Sequence, residues 1–307
     1  MGSPGGAALM KQAGSCVVCG GAIFVRQQAI VAPFLARRIW DEAPKPCHLA
    51  QCRECGFLFF NPRLLPAEEQ RLYGGYRQAE YQKTRQACEP WYTAKFNASI
   101  SSPRFMEVRR AALAGILKAN LAAKNGLRIL DFGGDRGQLI QGVVPGAAEF
   151  TYDISGVQPL EGVTACRSLD ECKAREADLI VCSNVLEHVG FPQTIMSQIT
   201  AVAAPHTMLF IEVPFESPFG ARLMLRRAIQ YAVLALLRPR VAWSAVQPGF
   251  LYPMHEHINY YAPQSLNALM EKAGWQVTAS GMYVLESALG GKALWCMGKL
   301  SRPTTMS

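Results

Sequence analysis

The sequence lacks any hydrophobic run long enough to cross a membrane. Its most apolar stretch, residues 228–237, is ten residues long and still includes Gln230 and Tyr231, whereas a membrane-spanning helix needs about 20 apolar residues. The first residues also lack the basic region and apolar run of a secretory signal. We therefore expect a cytoplasmic protein rather than an exported or membrane-spanning one.

Acidic residues are in short supply. The chain has 31 lysines and arginines against 23 aspartates and glutamates, which gives a net charge of +8. This imbalance favours anionic partners, such as nucleotide-linked or lipid-linked phosphates, a membrane surface or nucleic acid. The basic residues are not interleaved with aromatic ones, as they are in single-strand-binding proteins. Nucleic acid is therefore the least favoured of these partners.

Cysteine, in contrast, is plentiful, and four of the ten cysteines form two regular pairs. Residues 16–20 and 52–56 each have the order Cys-x-x-Cys-Gly, in which two residues between thiolates let both sulfurs reach one tetrahedral ion. Four thiolates leave no open coordination position, so we expect a structural zinc ion rather than a catalytic one. Cys47 and His48 are weaker alternative ligands. The predicted zinc ligands are Cys16, Cys19, Cys52 and Cys55.

A short apolar strand ends in a glycine-rich turn at residues 128–137. Asp131 is the last polar group of the strand. Gly133, Gly134 and Gly137 follow it and let the backbone bend tightly and approach a ligand closely. A helix beginning near Gly137 would present free backbone N–H groups toward that ligand. Dinucleotide-binding proteins use similar turns, so the turn alone does not identify the ligand.

The second strand of the expected sheet, residues 149–154, carries Asp153 at its end, twenty positions beyond Gly133. An acid at this spacing typically bonds the ribose hydroxyls of an adenosine. Ile154 could then lie against the adenine. The same spacing suits NAD, so the pattern predicts an adenosine-containing cofactor without naming it.

Residues 177–189 carry a more specific pattern. The segment begins with an acid, runs apolar through Cys182, leaves the expected sheet at Ser183 and Asn184, and enters a helix with the order Val-Leu-Glu-His. His188 could face a substrate from the carboxyl end of the strand, where α/β sheets bind ligands, or cap the following helix.

Together these patterns resemble the motifs of class I S-adenosylmethionine (SAM) methyltransferases. The turn matches their first motif at Asp131, Gly133 and Gly137, with Asp135 where a middle glycine is usual. The Val-Leu-Glu-His segment matches a motif that dehydrogenases do not share. The resemblance implies that the turn holds the methionine end of SAM and that residues 183–184 lie against the cofactor. We expect the Asp135 side chain to point away from that end, toward Arg136 or a cationic group of the substrate.

The order of the zinc motif, a strand ending in Asn-Pro, a tyrosine-rich segment and the glycine turn resembles the zinc-module methyltransferases of glycan and deoxysugar pathways. In their sugar C-methyltransferase branch a tyrosine of this segment reaches the active site, which implies that role for Tyr76, with Tyr81 and Tyr73 as alternatives. The order Glu-His-x-x-Tyr resembles their acid/base segment. It implies that His257 deprotonates the nucleophile and that Glu256 orients it or assists. A metal site or a hydrogen-bonded turn are the alternatives for this segment.

We predict an α/β fold with a seven-stranded, mostly parallel, Rossmann-like methyltransferase sheet and a small N-terminal zinc-ribbon-like module. The zinc module is expected in residues 1–65, a tyrosine-rich segment in 66–103, and the SAM domain in 104–300. A helical insertion at 218–248 carries arginines on both sides of an apolar core. It could form a lid over the substrate or lie on a membrane surface, which would place the protein peripherally at the inner membrane.

The expected reaction is methyl transfer from SAM to an oxygen of a sugar in a nucleotide-linked or lipid-linked glycan. C-methylation of a sugar is the nearest alternative, followed by a small natural product as acceptor. An enzyme that modifies nucleic acid, which predicts salt-sensitive binding, and a SAM-binding protein without catalysis also remain open.

Overall fold

The computed structural model describes residues 10–76, 78–100, 103–122, 124–285 and 291–301. Its strands are, in chain order, β1 Ile23–Val31, β2 Pro46–Cys52, β3 Leu58–Asn61, β4 Arg128–Phe132, β5 Ala148–Tyr152, β6 Val163–Ala165, β7 Leu179–Ser183, β8 Met208–Phe215, β9 Pro253–Met254, β10 Asn259–Tyr260, β11 Trp275–Val284 and β12 Lys292–Leu300. Its helices are α1 Pro33–Trp40, α2 Pro66–Tyr73, α3 Ala79–Cys88, α4 Ala94–Ile100, α5 Pro103–Asn120, α6 Leu169–Ala174, α7 Pro192–Val202, α8 Ala221–Leu237, α9 Pro239–Ser244 and α10 Pro263–Lys272.

The larger sheet has seven strands in the order β11-β12-β8-β7-β4-β5-β6. The five strands from β8 to β6 are parallel, and β12 and β11 add an antiparallel pair at one edge. Every residue of the central strand β7 is buried, as expected for a parallel strand covered on both faces. The predicted seven-stranded, mostly parallel, Rossmann-like sheet is therefore confirmed.

A second sheet has five strands in the order β10-β3-β2-β1-β9. Strands β1, β2 and β3 form an antiparallel meander. Strands β9 and β10, which come from the distant segment 253–260, pair with the two opposite outer strands, β1 and β3. The residues between them, His255 to Ile258, therefore connect the two edges of the sheet. Strands that are distant in sequence complete the N-terminal sheet.

The two sheets share one hydrophobic core. Phe57 and Phe59, beside the cysteine pairs, belong to the same buried cluster as Leu130 and Ile180 of the larger sheet. Tyr261 belongs to the same cluster and packs its ring on Phe57 at a centroid distance of 4.9 Å. This continuity fixes the position of the N-terminal module on the larger sheet.

Two expected helices are absent from the described residues. The chain after Gly137 forms successive turns rather than a helix, and Val185–His188 forms a single turn in which the His188 N–H donates to the Val185 carbonyl. Gly142, Pro145 and Gly146 explain the first case, because glycine and proline both interrupt helical hydrogen bonding. These two predictions were wrong.

The expected insertion contains α8 and the shorter α9, which pack on each other. Among the helices of the described residues, none combines the length and the apolar character needed to cross a bilayer.

Candidate active site and cysteine cluster

The four paired cysteines meet in one cluster. Their sulfur atoms all lie within 4.8 Å of one another, with Cys16 and Cys55 sulfurs 3.7 Å apart and Cys19 and Cys52 sulfurs 3.4 Å apart. A tetrahedral ion with Zn–S bonds of about 2.3 Å requires sulfur separations of roughly 3.8 Å, so the spacing fits zinc. Cys47 and His48 are not part of this cluster.

Backbone N–H groups point at three of these sulfurs. Val18 donates to Cys16 and Gly21 to Cys19, each at 3.4 Å, and Glu54 donates to Cys52 at the same distance. Such contacts stabilise negative charge on sulfur. A hydrogen bond with Cys55 and backbone contacts lower the pKa of Cys16 to about 5, whereas burial raises the pKa of Cys19 and the contact with Cys16 raises that of Cys55. The backbone donors therefore favour the thiolate, the form in which cysteine binds metal, and a bound cation would be needed to hold all four cysteines in that form.

The glycine-rich turn after β4 is held by close contacts. Gly133 and Gly137 both have a φ of 77°, in the left-handed region that favours glycine. A Cβ on Gly133 would lie 2.4 Å from Val185 Cγ2, and one on Gly134 would lie 2.1 Å from Asp131 Cγ. Only glycine fits these two positions, and the contact with Val185 brings the turn against the segment that follows β7.

Asp131 lies at the end of β4 beneath this turn, with a carboxylate that is 1% exposed. Within the described residues neither carboxylate oxygen has a hydrogen-bond partner. Burial raises the pKa of Asp131 to about 7, against the opposing charge of Arg109. A buried carboxylate without a partner is costly, so this position is suited to a bound cationic group, such as the ammonium of an amino acid.

Asp153 follows β5 and closes the other side of the turn. Its carboxylate accepts hydrogen bonds from the backbone N–H groups of Asp135, at 2.9 Å, and Ser155, at 2.7 Å. Ile154 is 70% exposed beside it, an accessible apolar surface of the kind that a flat base could cover. Asp135 has a φ of 51°. Its carboxylate accepts a hydrogen bond from Gln138 at 3.1 Å, rather than from Arg136 as expected.

Ser183 and Asn184 lie at the carboxyl end of β7. The Ser183 hydroxyl donates to Glu212 at 3.1 Å and accepts from Arg109 at 2.6 Å. Arg109 also forms a buried ion pair with Glu212, at 2.6 Å, and Tyr283 donates to the other oxygen of Glu212. Asn184 is exposed, with a φ of 54°. The Ser183 side chain is thus part of a structural network, whereas Asn184 faces solvent.

A cluster of acids and imidazoles lies beyond this strand end. Glu187, His188 and His257 each offer a ligand atom within 4.8 Å of the others, and the imidazole rings of His188 and His257 contact edge-to-face at 4.9 Å. Glu216, which directly follows β8, bonds to His257 Nδ1 at 2.9 Å. This set of four residues, the acid/base cluster, could share a proton or hold a metal ion.

The acid/base cluster concentrates negative charge around His257. Burial alone would lower the pKa of His257, but the hydrogen bond and charge of Glu216, together with Glu187, raise it to about 9. Burial raises the pKa of Glu187 to about 7. Glu187 is 1% exposed, and its oxygens accept no hydrogen bond from another described residue. Both groups therefore change protonation state near the pH at which enzymes work.

The tyrosine-rich segment lies against the same cluster. The Tyr73 hydroxyl is 3.1 Å from His188 Nδ1, and the ring of Tyr76 packs edge-on between those of Tyr73 and Tyr81. His188 Nδ1 also lies 3.0 Å from the Glu256 carbonyl. A carbonyl can only accept a hydrogen bond, so this contact places the proton on Nδ1 and leaves Nε2 toward Glu187, 3.7 Å from its carboxylate.

The Glu256 side chain turns away from His257. It accepts hydrogen bonds from Tyr81 and from Arg85, the latter at 2.6 Å. Burial opposes its charge, but Arg85 and His255 nevertheless lower the pKa of Glu256. The predicted catalytic residues His188 and His257 therefore lie together, and Tyr76 is connected to them through the ring of Tyr73. The Glu256 carboxylate is instead held by Tyr81 and Arg85.

Sequence reasoning missed Glu187, Glu216 and Arg109. Glu187 belongs to the Val-Leu-Glu-His motif, in which only His188 was predicted to be functional. The burial of Glu187 goes with the turn that replaces the expected helix. Glu216 immediately follows β8, so its position at the carboxyl end of a parallel strand was a usable signal. No pattern in the sequence indicated that Arg109 would reach across to Glu212.

Comparison with known proteins identifies a family for this chain. A family model described as "Methyltransferase domain" matches residues 105–280, and no curated protein matches the chain significantly. The structure of Burkholderia thailandensis 1,6-didemethyltoxoflavin-N1-methyltransferase with bound S-adenosylhomocysteine is 14% identical, with a TM-score of 0.49 over 83% of this chain and 96% of that one. Magnesium protoporphyrin IX methyltransferase from Synechocystis is 15% identical, with a TM-score of 0.40 over 64% and 84%.

Proposed function

The chain belongs to the methyltransferase-domain family and is a SAM-dependent methyltransferase, and we propose that it methylates an oxygen of a sugar carried on a nucleotide or a lipid. The acid/base cluster is the observation that supports this acceptor class most directly. Hydroxyl acceptors lose a proton as the new bond to carbon forms, and the cluster supplies groups that can take it. The resemblance of the tyrosine-rich and Glu-His-x-x-Tyr segments to those of sugar methyltransferases supports a sugar.

The cofactor supplies an electrophilic methyl group when it is bound. The residues that would hold it fit the molecule: Asp131 offers a buried carboxylate without a hydrogen-bond donor to the ammonium of the methionine end, and Asp153 and exposed Ile154 would face the ribose and the adenine. Gly133 touches Val185, two residues before Glu187. The predicted cofactor site and the acid/base cluster therefore lie side by side at the carboxyl ends of β4 and β7.

His257 is the residue that we assign as general base. Its ring is 36% exposed, so an acceptor can reach it, and Glu216 and Glu187 would stabilise the imidazolium that forms when the proton arrives. Tyr73 and the Glu256 carbonyl fix the ring of His188 beside it. Tyr76, whose ring packs on Tyr73, would orient the sugar through its hydroxyl. The protein's contribution is mainly positioning of two reactants and removal of one proton.

Methyl transfer from labelled SAM to a panel of nucleotide-linked and lipid-linked sugars tests this function. We expect one acceptor class to take up label, and His257→Asn to lower kcat by roughly 100-fold with little change in SAM affinity. Exposed Lys173→Gln is a matched surface control. Label incorporated into nucleic acid and into no sugar would contradict the proposal.

C-methylation is the second candidate, because a base beside the cofactor could equally remove a proton from a carbon next to a carbonyl. Product analysis separates the two reactions. An O-methyl group is released by ether cleavage and shows a methoxy signal in NMR spectra, whereas a C-methyl group does neither.

We also propose that the cysteine cluster holds a structural zinc ion. The four sulfurs have the spacing of a tetrahedral site, and backbone N–H groups stabilise thiolates there. The cluster adjoins Phe57 and Phe59 in the core and includes none of the residues of the acid/base cluster, so the ion would stabilise the module without taking part in the reaction.

A further inference from the structure

Helix α8 turns an apolar face to solvent. Leu234 is buried on its inner side, and Leu223 and Tyr231 are partly covered there. The opposite side carries large apolar residues at spacings of three and four, which place them on one helical face. These residues and their exposed fractions are Leu225 64%, Ile229 56%, Val233 37% and Leu236 80%.

Further exposed apolar side chains follow α8 along the chain. Trp243 of α9 is 80% exposed, and Val246 and Phe250 in the following loop are 53% and 38% exposed. Large exposed apolar patches on a protein surface usually mark a place of interaction. Tryptophan is enriched where protein meets the interface between lipid and water, because its ring is amphipathic.

The charged residues of the segment that forms this surface all have one sign. Residues 217–255 contain five arginines and no acidic residue. Arg227 turns inward and donates to the carbonyls of Pro218 and Leu251. The other four are exposed: Arg222, Arg226, Arg238 and Arg240.

We propose that the exposed face of α8 and α9 docks on the surface of an anionic lipid bilayer, with α8 lying in the plane of the interface. The apolar side chains would enter the boundary between head groups and acyl chains, and the arginines would meet lipid phosphates. A second copy of this chain fits less well, because a symmetric contact would bring two arginine-rich surfaces together with no acid between them.

This docking would place the acceptor site beside the bilayer. The segment 217–255 begins directly after Glu216 and ends two residues before His257, so both of its ends lie beside the acid/base cluster. Arg227 ties α8 to Leu251 near the returning end. A lipid-linked sugar is the acceptor that this arrangement would favour. This acceptor preference rests on the proposed function, whereas the docking itself does not.

Flotation of the full chain with vesicles tests the docking without any catalytic readout. The vesicles are phosphatidylglycerol mixed with phosphatidylcholine, or phosphatidylcholine alone. Variant one replaces the four exposed arginines by Gln, and variant two carries Leu225→Gln, Leu236→Gln and Trp243→Gln. The charge control replaces four exposed lysines by Gln, and the apolar control carries three exposed substitutions elsewhere. The charge control uses Lys118, Lys173, Lys292 and Lys299; the apolar control uses Val25→Gln, Met282→Gln and Val284→Gln.

We expect the wild type and both controls to float with anionic vesicles and not with phosphatidylcholine alone. Each test variant should lose at least about tenfold in binding, because variant one removes the attraction to anionic head groups and variant two removes the apolar contact with the bilayer. Absence of wild-type flotation, or full binding by variant one, would overturn the docking. So would a wild-type dimer in light scattering that variant two converts to a monomer. If the protein binds vesicles but lipid-linked and water-soluble acceptors react equally, only the predicted preference for a lipid-linked acceptor is wrong.

Discussion

Two buried carboxylates, those of Asp131 and Glu187, accept no hydrogen bond from another described residue, and each has a pKa raised to about 7 by burial. Each also lies at the carboxyl end of a parallel strand, where this class of sheet binds its ligands. Unpaired charge in such a place is unfavourable for the protein alone. It becomes favourable when a cation or a proton arrives, which is why these residues indicate function rather than stability.

SAM affinity should depend on the protonation of Asp131. A pKa of about 7 means that the carboxylate becomes charged as the pH rises through neutrality, and only the charged form attracts the ammonium of the cofactor. We expect the Kd for SAM to fall several-fold between pH 6 and pH 8. Asp131→Asn should bind at least about tenfold more weakly and show no such pH dependence. Calorimetry at both pH values measures this, and an unchanged pH dependence in the variant would refute the assignment.

Methyl transfer should become faster as the pH rises toward 9. His257 acts as a base only when it is deprotonated, and its pKa is raised to about 9, so kcat/KM should increase about tenfold per pH unit below that value. In Glu216→Gln the pKa of His257 should fall, and the rising limb should move to lower pH. The pH profiles of wild type and variant test this. A limb that keeps its position in Glu216→Gln would exclude His257 as the titrating base.

Protonation of His257 also bears on stability, with the opposite sign. Its pKa in the folded protein lies above the ordinary value near 6.5, so its ion pair with Glu216 contributes fully below pH 6.5 and is lost as the pH rises through about 9. Activity and stability should therefore change in opposite directions over this interval.

At the scale of elements, glycine-containing turns position the predicted cofactor site and the four cysteines. Gly133 has a backbone conformation and a contact with Val185 that no other residue could combine. The Cys-x-x-Cys-Gly turns behave similarly, because Gly20 and Gly56 have positive φ angles of 84° and 73° that let the chain wrap around the sulfurs.

Each chain should carry one zinc ion that is lost with the cysteine pairs. Mass spectrometry of the native protein should give one zinc per chain, and Cys52→Ser should give none. Chelation should lower the Tm by more than about 5 °C, because metal binding contributes to folding. Cys88→Ala is the control, since Cys88 is buried but outside the cluster. A wild-type protein without zinc that has the same Tm as the chelated one would contradict the prediction.

At the scale of the whole molecule, Arg63 joins the N-terminal sheet to the larger one. It is fully buried and donates to the carbonyls of Phe60, Val189 and Gly190, and to the Asn259 side chain. Burial lowers the pKa of Arg63 to about 10, so the guanidinium remains charged at neutral pH. These contacts link β3, the turn after β7 and β10 at one point.

Arg63→Met should destabilise the protein by roughly 3 kcal/mol or more, because it leaves several buried acceptors without a donor. Denaturant unfolding followed by tryptophan fluorescence and circular dichroism should show one transition at a lower midpoint with both probes. Exposed Arg53→Met should change the free energy of unfolding by less than about 1 kcal/mol. Two separate transitions in the wild type would contradict a shared core.

The sequence by itself determined the elements whose signal is local. The cysteine spacing predicted the cluster, and apolar runs predicted the parallel strands. These features depend on neighbours a few residues apart, so a linear pattern records them. The same holds for the glycine turn, although glycine and proline in the residues after it ended the expected helix.

Only the tertiary structure decided which side chains meet. Glu216 reaches His257, Tyr73 reaches His188, and Arg85 draws the Glu256 carboxylate away from the cluster. It also decided that residues 253–260 complete the N-terminal sheet and that α8 leaves its apolar face uncovered. Such contacts join residues that are distant along the chain and depend on packing of the whole core, so no local pattern of residue types could specify them.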